Sequence, residues 1–403
     1  MRRIVFICQV FYPDTTSTSQ LFQTLLRRLA WSGWEIHVLC GFPTGQSREH
    51  ISRAQVWEGI NIHRCGLPFP VKTSLIYRSF SYLSFFFHSF YRLLFHFREF
   101  IWLGVTNPPF NAHMLALASR IHRHDFSYFF LDLYPEGLLA LGKLSLNNPI
   151  TRIWTVLNGL AYRRADKLFV LGRDMLQLLE KRYELDSTRT IYIPHWSVVE
   201  PTRPKPIGES RFIKTWGIEG KFTVQYSGNM GLWHDIDSLV SVAHILQHEN
   251  DIHFVFIGDG IRKNAAMKLA ADLGVTNIIW KDFSPINDLN ESLSACHVSI
   301  ISLRSGLEGV AVPCKLYGIL ASGRAVVAQV PTNSEIALTI EENNCGIIVE
   351  PNNHHDLARA LLHLKDNQQE VSEMGENAFS AYQEKYTVAS AIDRLDKHLT
   401  TRQ

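Results

Sequence analysis

"RIVFICQVFYPDTTSTSQLFQTLLRRLAWSGWEIHVLC", residues 3–40, decides the fold class. An apolar strand, "RIVFICQVF", runs into "YPDTTSTSQ", where Thr16, Ser17 and Ser19 are each able to cap a helix. Leu21, Phe22, Leu25, Leu26 and Leu29 then recur at helical spacing up to Gly33, and "WEIHVLC" is a second strand. Strand, helix, strand in so short a span is a βαβ unit, which implies a parallel sheet. The basic start also raises a signal peptide. Its apolar run is only about eight residues long, is broken by Gln9 and closes at Tyr12-Pro13-Asp14, so a first strand accounts for it better.

The same alternation continues outward. "FIWLGVTNPP", "YFFLDLYPEG" and "KLFVLGRD" read as strands ending in polar loops, the last preceding a helix over Met175–Glu184. "IYIPHWSVVEPTRPKPIGES" breaks the pattern with Pro201, Pro204 and Pro206 and reads as a linker. A second series follows: "FTVQYSGN", "HFVFIGDG", "NIIWKDF", "VSIISL", "AVVAQV" and "GIIVEP", each separated by a helical pattern. The expected organisation is two doubly wound α/β domains, 1–198 and 199–385, with 386–403 a C-terminal helix able to cross back to the first. Ligands of such sheets bind at the carboxyl ends of the strands, at the topological switch point, so the expected site is a cleft between the domains.

Composition narrows the function classes. The 403 residues exceed one ordinary core, and a formal charge of +2 argues against nucleic acid as a partner. Six scattered cysteines with no CxxC pair read as reduced thiols of a cytoplasmic protein. Residues 74–104, "SLIYRSFSYLSFFFHSFYRLLFHFREFIWLG", are dense in aromatics but punctuated by Arg78, Arg92 and Arg98. From Lys72 to His124 there are six Lys or Arg and one acid, Glu99. That suits a helix lying on an anionic membrane surface, the competing reading being a buried helical hairpin with snorkelling arginines.

Three loops of the second half carry the chemistry. "YSGNMGLWHD" places Gly228 and Gly231 between a strand and a helix starting near Asp235, and "FIGDGIR" repeats the arrangement with Gly258, Gly260 and Arg262. Glycines there let backbone N–H groups approach a phosphate, although Gly in a tight turn is also common for structural reasons. The third loop, "SIISLRSGLEGVAVPCK", passes Glu308 and reaches Pro313, Cys314 and Lys315 at a helix start. A lysine in a first turn opposes the helix dipole unless an anion is bound, or unless it points to solvent. In the first half Asp132 and Glu136 stand at a strand end in "LDLYPEG", where Asp132 is also placed to cap a helix. "IHRHD" (His122, Arg123, His124) reads as a solvated basic turn in preference to a metal site.

"FYPDTTSTSQL", "LDLYPEGLLALG", "IYIPHW", "YSGNMG", "FIGDG" and "VPCKLYGILASGRAVVA" together resemble glycosyltransferase family 4, in the branch that builds bacterial O-antigen, colanic acid and related exopolysaccharides. The resemblance spans nearly the whole chain in the family's order. It implies the GT-B architecture, two facing Rossmann-like domains with an interdomain cleft. It further implies retaining transfer of a sugar from a nucleotide-diphosphate sugar, UDP- or GDP-linked, to a glycan or lipid-linked acceptor, with no cofactor and no metal. Implied donor-binding residues are Gly228, Asn229, Gly231, Gly258, Gly260, Arg262, Phe283 at the base, Pro313, Lys315 and Leu316. Asp132 would stand near the donor sugar, and Glu308 and Lys315 would complete the catalytic set on the inner face of the cytoplasmic membrane.

The chain also departs from the family. Asn229 and His234 stand where much of it has Arg and Lys, and the positions of its paired glutamates fall on Val310 and Gly318, with Glu308 two residues from the first. Lys315 and Arg262 would then supply the missing charge. Two rivals stay in view, a sugar-nucleotide epimerase of the same plan and a non-catalytic scaffold for a transferase.

Overall fold

The computed structural model describes residues 2–43, 51–68 and 75–399, without the side chains of Leu75, Ile76 and Arg78. Of the features singled out above, Lys72, Ser74, the Arg78 side chain and residues 400–403 lie outside the described residues. The chain divides into two compact units. One is Met1–Pro194 with Gly309–Ala311 and Val388–Gln403, the other His195–Glu308 with Val312–Thr387.

In the first unit β1 (Arg3–Ile7), α1 (Ser17–Trp31) and β2 (Glu35–Cys40) form the expected βαβ unit. The strands pair in parallel from Arg3–Glu35 to Ile7–Leu39, and Thr16 caps α1 by accepting from the Ser19 N–H. β1 stops at Ile7, short of the sequence expectation. Beyond it the ladder gives way to loop bonds, Gln9 N–H to Asn107 O (2.7 Å) and Gly41 N–H to Gln9 O (2.9 Å). β3 (Ala54–Trp57) and β4 (Ile60–Arg64) add an antiparallel hairpin, turned at Glu58-Gly59 with positive φ at both residues.

There follow α2 (Leu75–His96), β5 (Ile101–Val105), α3 (Asn111–His122), β6 (Phe126–Phe129), α4 (Glu136–Ala140) and α5 (Pro149–Arg164). β7 (Lys167–Val170), α6 (Arg173–Tyr183) and β8 (Thr190–Tyr192) complete the sheet, whose order is β3-β4-β2-β1-β5-β6-β7-β8. All neighbours but β3 and β4 run parallel. The crossovers from β4 to β5, β6, β7 and β8 all move the same way, so right-handed connections put α2, α3, α5 and α6 on one face. The step from β1 to β2 moves the other way and puts α1 on the opposite face.

Within the aromatic segment Leu75–His96 form one continuous helix, α2, and not a hairpin, and residues 101–104 belong to β5. Ser81, Phe85, Ser89 and Leu93 recur every fourth residue and are buried, while Leu83, Phe87, Tyr91 and Phe95 are exposed. Apolar side chains therefore occupy both faces of α2. Among the described residues no helix is long and apolar enough to cross a membrane.

The second unit runs α7 (Arg211–Trp216), β9 (Phe222–Ser227), α8 (Ile236–Ile245), β10 (Ile252–Ile257), α9 (Lys263–Asp272), β11 (Ile278–Lys281) and α10 (Leu289–Leu293). It continues through β12 (Val298–Ser302), α11 (Lys315–Ala321), β13 (Ala325–Gln329), α12 (Glu335–Asn343), β14 (Gly346–Val349), α13 (His354–Asp366) and α14 (Gln368–Lys385). Its six strands are parallel in the order β11-β10-β9-β12-β13-β14, each inside one of the apolar runs read from the sequence except β10, which starts one residue earlier. Val224, Phe254, Ile300 and Val327 from the sheet and Leu239, Leu357 and Leu361 from the helices are wholly buried in its core. α15 (Val388–Asp396) belongs to the first unit and packs on α1. The fold class is α/β, with two parallel-sheet domains.

Candidate active site

From β9 the second sheet grows outward through β10 to β11, then resumes at β12 on the other side of β9. The carboxyl ends of β9 and β12 therefore flank the switch point of this domain, where doubly wound sheets take ligands. Ser227 and Ser302 end those two strands.

The two glycine loops lock onto each other. Gly228 N–H donates to Ile257 O (2.9 Å), Met230 N–H to Asp259 O (2.8 Å) and Arg262 N–H to Met230 O (3.0 Å). The fit leaves no room for side chains. At Gly258 (φ 135°) a Cβ would lie 2.1 Å from Gly228 O, and at Gly260 (φ 150°) 2.5 Å from Met230 O. The amides of Gly228 and Gly258 are thus taken up inside the protein, the latter by Lys281 O at 3.0 Å. Among the described residues the N–H groups of Asn229 and Gly231 carry no hydrogen bond, so these two amides remain for a ligand.

Lys315, the first residue of α11, does not point away into solvent. Its Nζ donates to Tyr226 Oη at 2.6 Å and sits 4.0 Å from the centroid of the Tyr226 ring. The phenol in turn donates to Asn229 O (2.7 Å), tying the lysine to the first glycine loop. Burial pushes the Lys315 ammonium down to about 7, although the side chain as a whole keeps partial exposure. Among the described residues no carboxylate offsets that desolvation, which leaves the ammonium suited to an anion.

His234 lies edge-on to the same Tyr226 ring, 6.3 Å between centroids. Its Nδ1 lies 2.8 Å from Ser302 O. A carbonyl only accepts, so Nδ1 carries the proton and Nε2 presents a lone pair. Burial, and then the charge of Lys315, holds this imidazole down to about 3, which keeps it neutral. A neutral acceptor beside a lysine suits a sugar hydroxyl better than a phosphate.

The remaining sequence candidates fall into distinct places. Arg262 is at the N-cap position of α9, with its guanidinium paired to Asp237 of α8. Phe283, just after β11, is 56% exposed and so not a core aromatic, and its ring edge lies against Gly258. Pro313 and Leu316 are buried around the start of α11, Leu316 completely, so they shape the turn and leave Leu316 only its backbone to offer. Glu308 is half-buried, and its Oε2 is buried without a hydrogen-bond partner.

In the first unit Asp132 follows β6, and burial raises its carboxyl to about 6. It caps nothing, since α4 starts after Pro135 with no side-chain cap. Glu136 is structural, accepting from Tyr183 Oη (2.6 Å) and pairing with Arg182 (2.5 Å). "IHRHD" is the C-terminal turn of α3, with Arg123 in a left-handed conformation and His124 stacked on Trp102. Tyr226 carries no sequence signal, because an aromatic inside an apolar strand reads as core. Only the reach of its hydroxyl makes it part of the site.

Residues 209–381 match the family model described as glycosyl transferases group 1. A probable glycosyltransferase, WbjE of Pseudomonas aeruginosa, is 27% identical over 297 residues, covering 73% of this chain and 72% of that protein. Among solved structures, WaaG, a glycosyltransferase involved in lipopolysaccharide biosynthesis, superposes with a TM-score of 0.75 at 16% identity, over 99% of this chain and 100% of that one. HepE of Anabaena, in complex with UDP and glucose, gives 0.72 at 14% identity over the full length of both. Residues 209–381 are thus similar to glycosyl transferases group 1, the chain is similar along most of its length to a probable glycosyltransferase, and its α/β fold matches GT-B glycosyltransferase structures.

Proposed function

We propose that this protein is a retaining glycosyltransferase of the family 4 type, moving a sugar from a nucleoside-diphosphate sugar onto a lipid-linked glycan during synthesis of a surface polysaccharide. The observation that carries the reading is the group at the switch point: Lys315 held on Tyr226, neutral His234 on Ser302, and the Asn229 and Gly231 amides beside them. In this reading the departing diphosphate gathers negative charge against Lys315 and the two amides, which stabilises the transition state. Losing one such group typically lowers the rate about a hundredfold. His234 Nε2 takes a donor hydroxyl, and Phe283 takes the base. Same-face attack lets the leaving phosphate accept the acceptor's proton, which gives retention without a paired carboxylate. UDP is the favoured nucleotide, because HepE is a structural neighbour that holds it. Asp132 and Glu308 are assigned positioning roles toward the sugar, with no metal in the scheme.

The test is thermal stability against UDP, GDP, ADP, CMP and dTDP. At a hundred times its Kd a nucleotide stabilises the native state by about 2.7 kcal/mol. One diphosphate should raise the melting temperature and Lys315→Ala should abolish the rise. No response to any nucleotide would put the scaffold reading in its place.

A further inference from the structure

α5 is an amphipathic helix turned inside out. Its inward positions are Thr151, Asn158, Gly159, Ala161 and Tyr162, and Asn158 is wholly buried, donating to Tyr134 O (2.6 Å) and Tyr183 Oη (3.2 Å). Its outward positions are Ile150, Ile153, Val156, Leu157 and Leu160, each between 47% and 67% exposed. A water-facing helix normally shows the reverse arrangement. α3 packs between α2 and α5 and adds exposed Leu117 and Ile121, so the exposed stripe of α2 continues across three neighbouring helices on one side of the sheet. A contiguous apolar face of this extent marks an interaction surface.

Charge names the occupant. α2, α3 and α5 contain no Asp or Glu, yet carry Arg78, Arg92, Arg120, Arg152, Arg163 and Arg164. α6 covers the same side of the sheet and is ordinary: it carries Asp174 and Glu180, presents Gln177 and Lys181 to water, and exposes no large apolar side chain. We infer that α2, α3 and α5 form a single docking face for an anionic lipid leaflet, into which both the aromatic stripe of α2 and the aliphatic stripe of α5 insert. This deepens the membrane-bound acceptor of the function proposed above, but stands on surface observations that do not involve the nucleotide site.

The test is flotation of the full chain with vesicles of phosphatidylcholine alone and of an equimolar phosphatidylcholine–phosphatidylglycerol mixture. Wild type should float with the mixture and not with phosphatidylcholine alone. Ile153→Glu with Leu160→Glu, and Phe87→Glu with Tyr91→Glu, should each lower partitioning about tenfold or more, while Lys181→Glu on α6 retains it. In wild type, without any substitution, amide exchange along α5 should slow when the mixed vesicles are added. Flotation of the α5 variant at the wild-type level, or unchanged exchange along α5, overturns the three-helix face. So does a wild-type dimer that the α5 substitutions convert to a monomer, since a second copy then covers the surface. If no nucleotide binds while flotation holds, the transferase reading falls and the membrane face stands.

Discussion

The two units spend their exposed apolar side chains differently. Among the described residues the first unit exposes eighteen large hydrophobic side chains and the second only five. Most of the first set lie on α2, α3 and α5, as stripes along helices. Three of the second set, Ile261, Phe283 and Ile286, lie in the loops that follow β10 and β11, at the carboxyl edge of the sheet near the glycine loops. Helical stripes suit a broad, flat partner, whereas a few side chains at the strand ends suit a small ligand. On the two readings proposed above, two similar doubly wound sheets would carry two kinds of recognition, and the difference would lie in what covers each sheet, not in the sheets themselves.

The sharpest way to break that contrast is to spoil the interlocked glycine loops by shape alone. Gly258→Ala places a methyl group against Gly228 O and holds a non-glycine residue at φ 135°. Strain and overlap together should destabilise the chain by roughly 4 kcal/mol in urea unfolding. A loss below about 1 kcal/mol would mean that the interlocked loops are soft and hold no preformed site.

A smaller effect should come from pH. The pKa of Lys315 is lowered on folding, so between about 7 and its ordinary value near 10.5 the unfolded chain binds the extra proton. The free protein should therefore gain stability as pH rises through that window. A diphosphate favours the ammonium, so its affinity should change in the opposite direction, falling by up to about tenfold per pH unit above 7. Calorimetry in buffers of different ionisation enthalpy should show proton uptake on binding. Lys315→Ala should flatten both dependences, and a nucleotide affinity unchanged from pH 7 to 9 would remove Lys315 from the phosphate site.

The smallest effect sharpens the comparison at Phe283. If this exposed ring stacks on the base, Phe283→Ala should weaken nucleotide binding by about 1 kcal/mol, roughly fivefold, and leave vesicle flotation untouched. Equal binding by the variant would return Phe283 to the ordinary exposed apolar residues.

Much of the candidate site was legible before the structure. Gly228, Gly231, Gly258 and Gly260 are placed at strand ends, and Lys315 at a helix start, by local patterns: an apolar run, a glycine pair, a proline before a helix. What those patterns did not show is how each group is held. Arg262 looked like a cation for phosphate, yet its guanidinium belongs to Asp237. Gly228 and Gly258 looked like amide donors, yet their amides bond to Ile257 O and Lys281 O. Such pairings join residues distant in sequence, and spacing along one segment carries no trace of them.

Sequence by itself determined the α/β class, the parallel order within each βαβ unit and the strands that end at the site, because side-chain periodicity and turn chemistry are local. Only the tertiary structure decided that Lys315 rests on Tyr226, that His234 is neutral with its acceptor nitrogen left open, and that the aliphatic stripe of α5 faces outward. Periodicity tells which residues share a face of a helix. Which way that face points depends on what the rest of the chain packs against it.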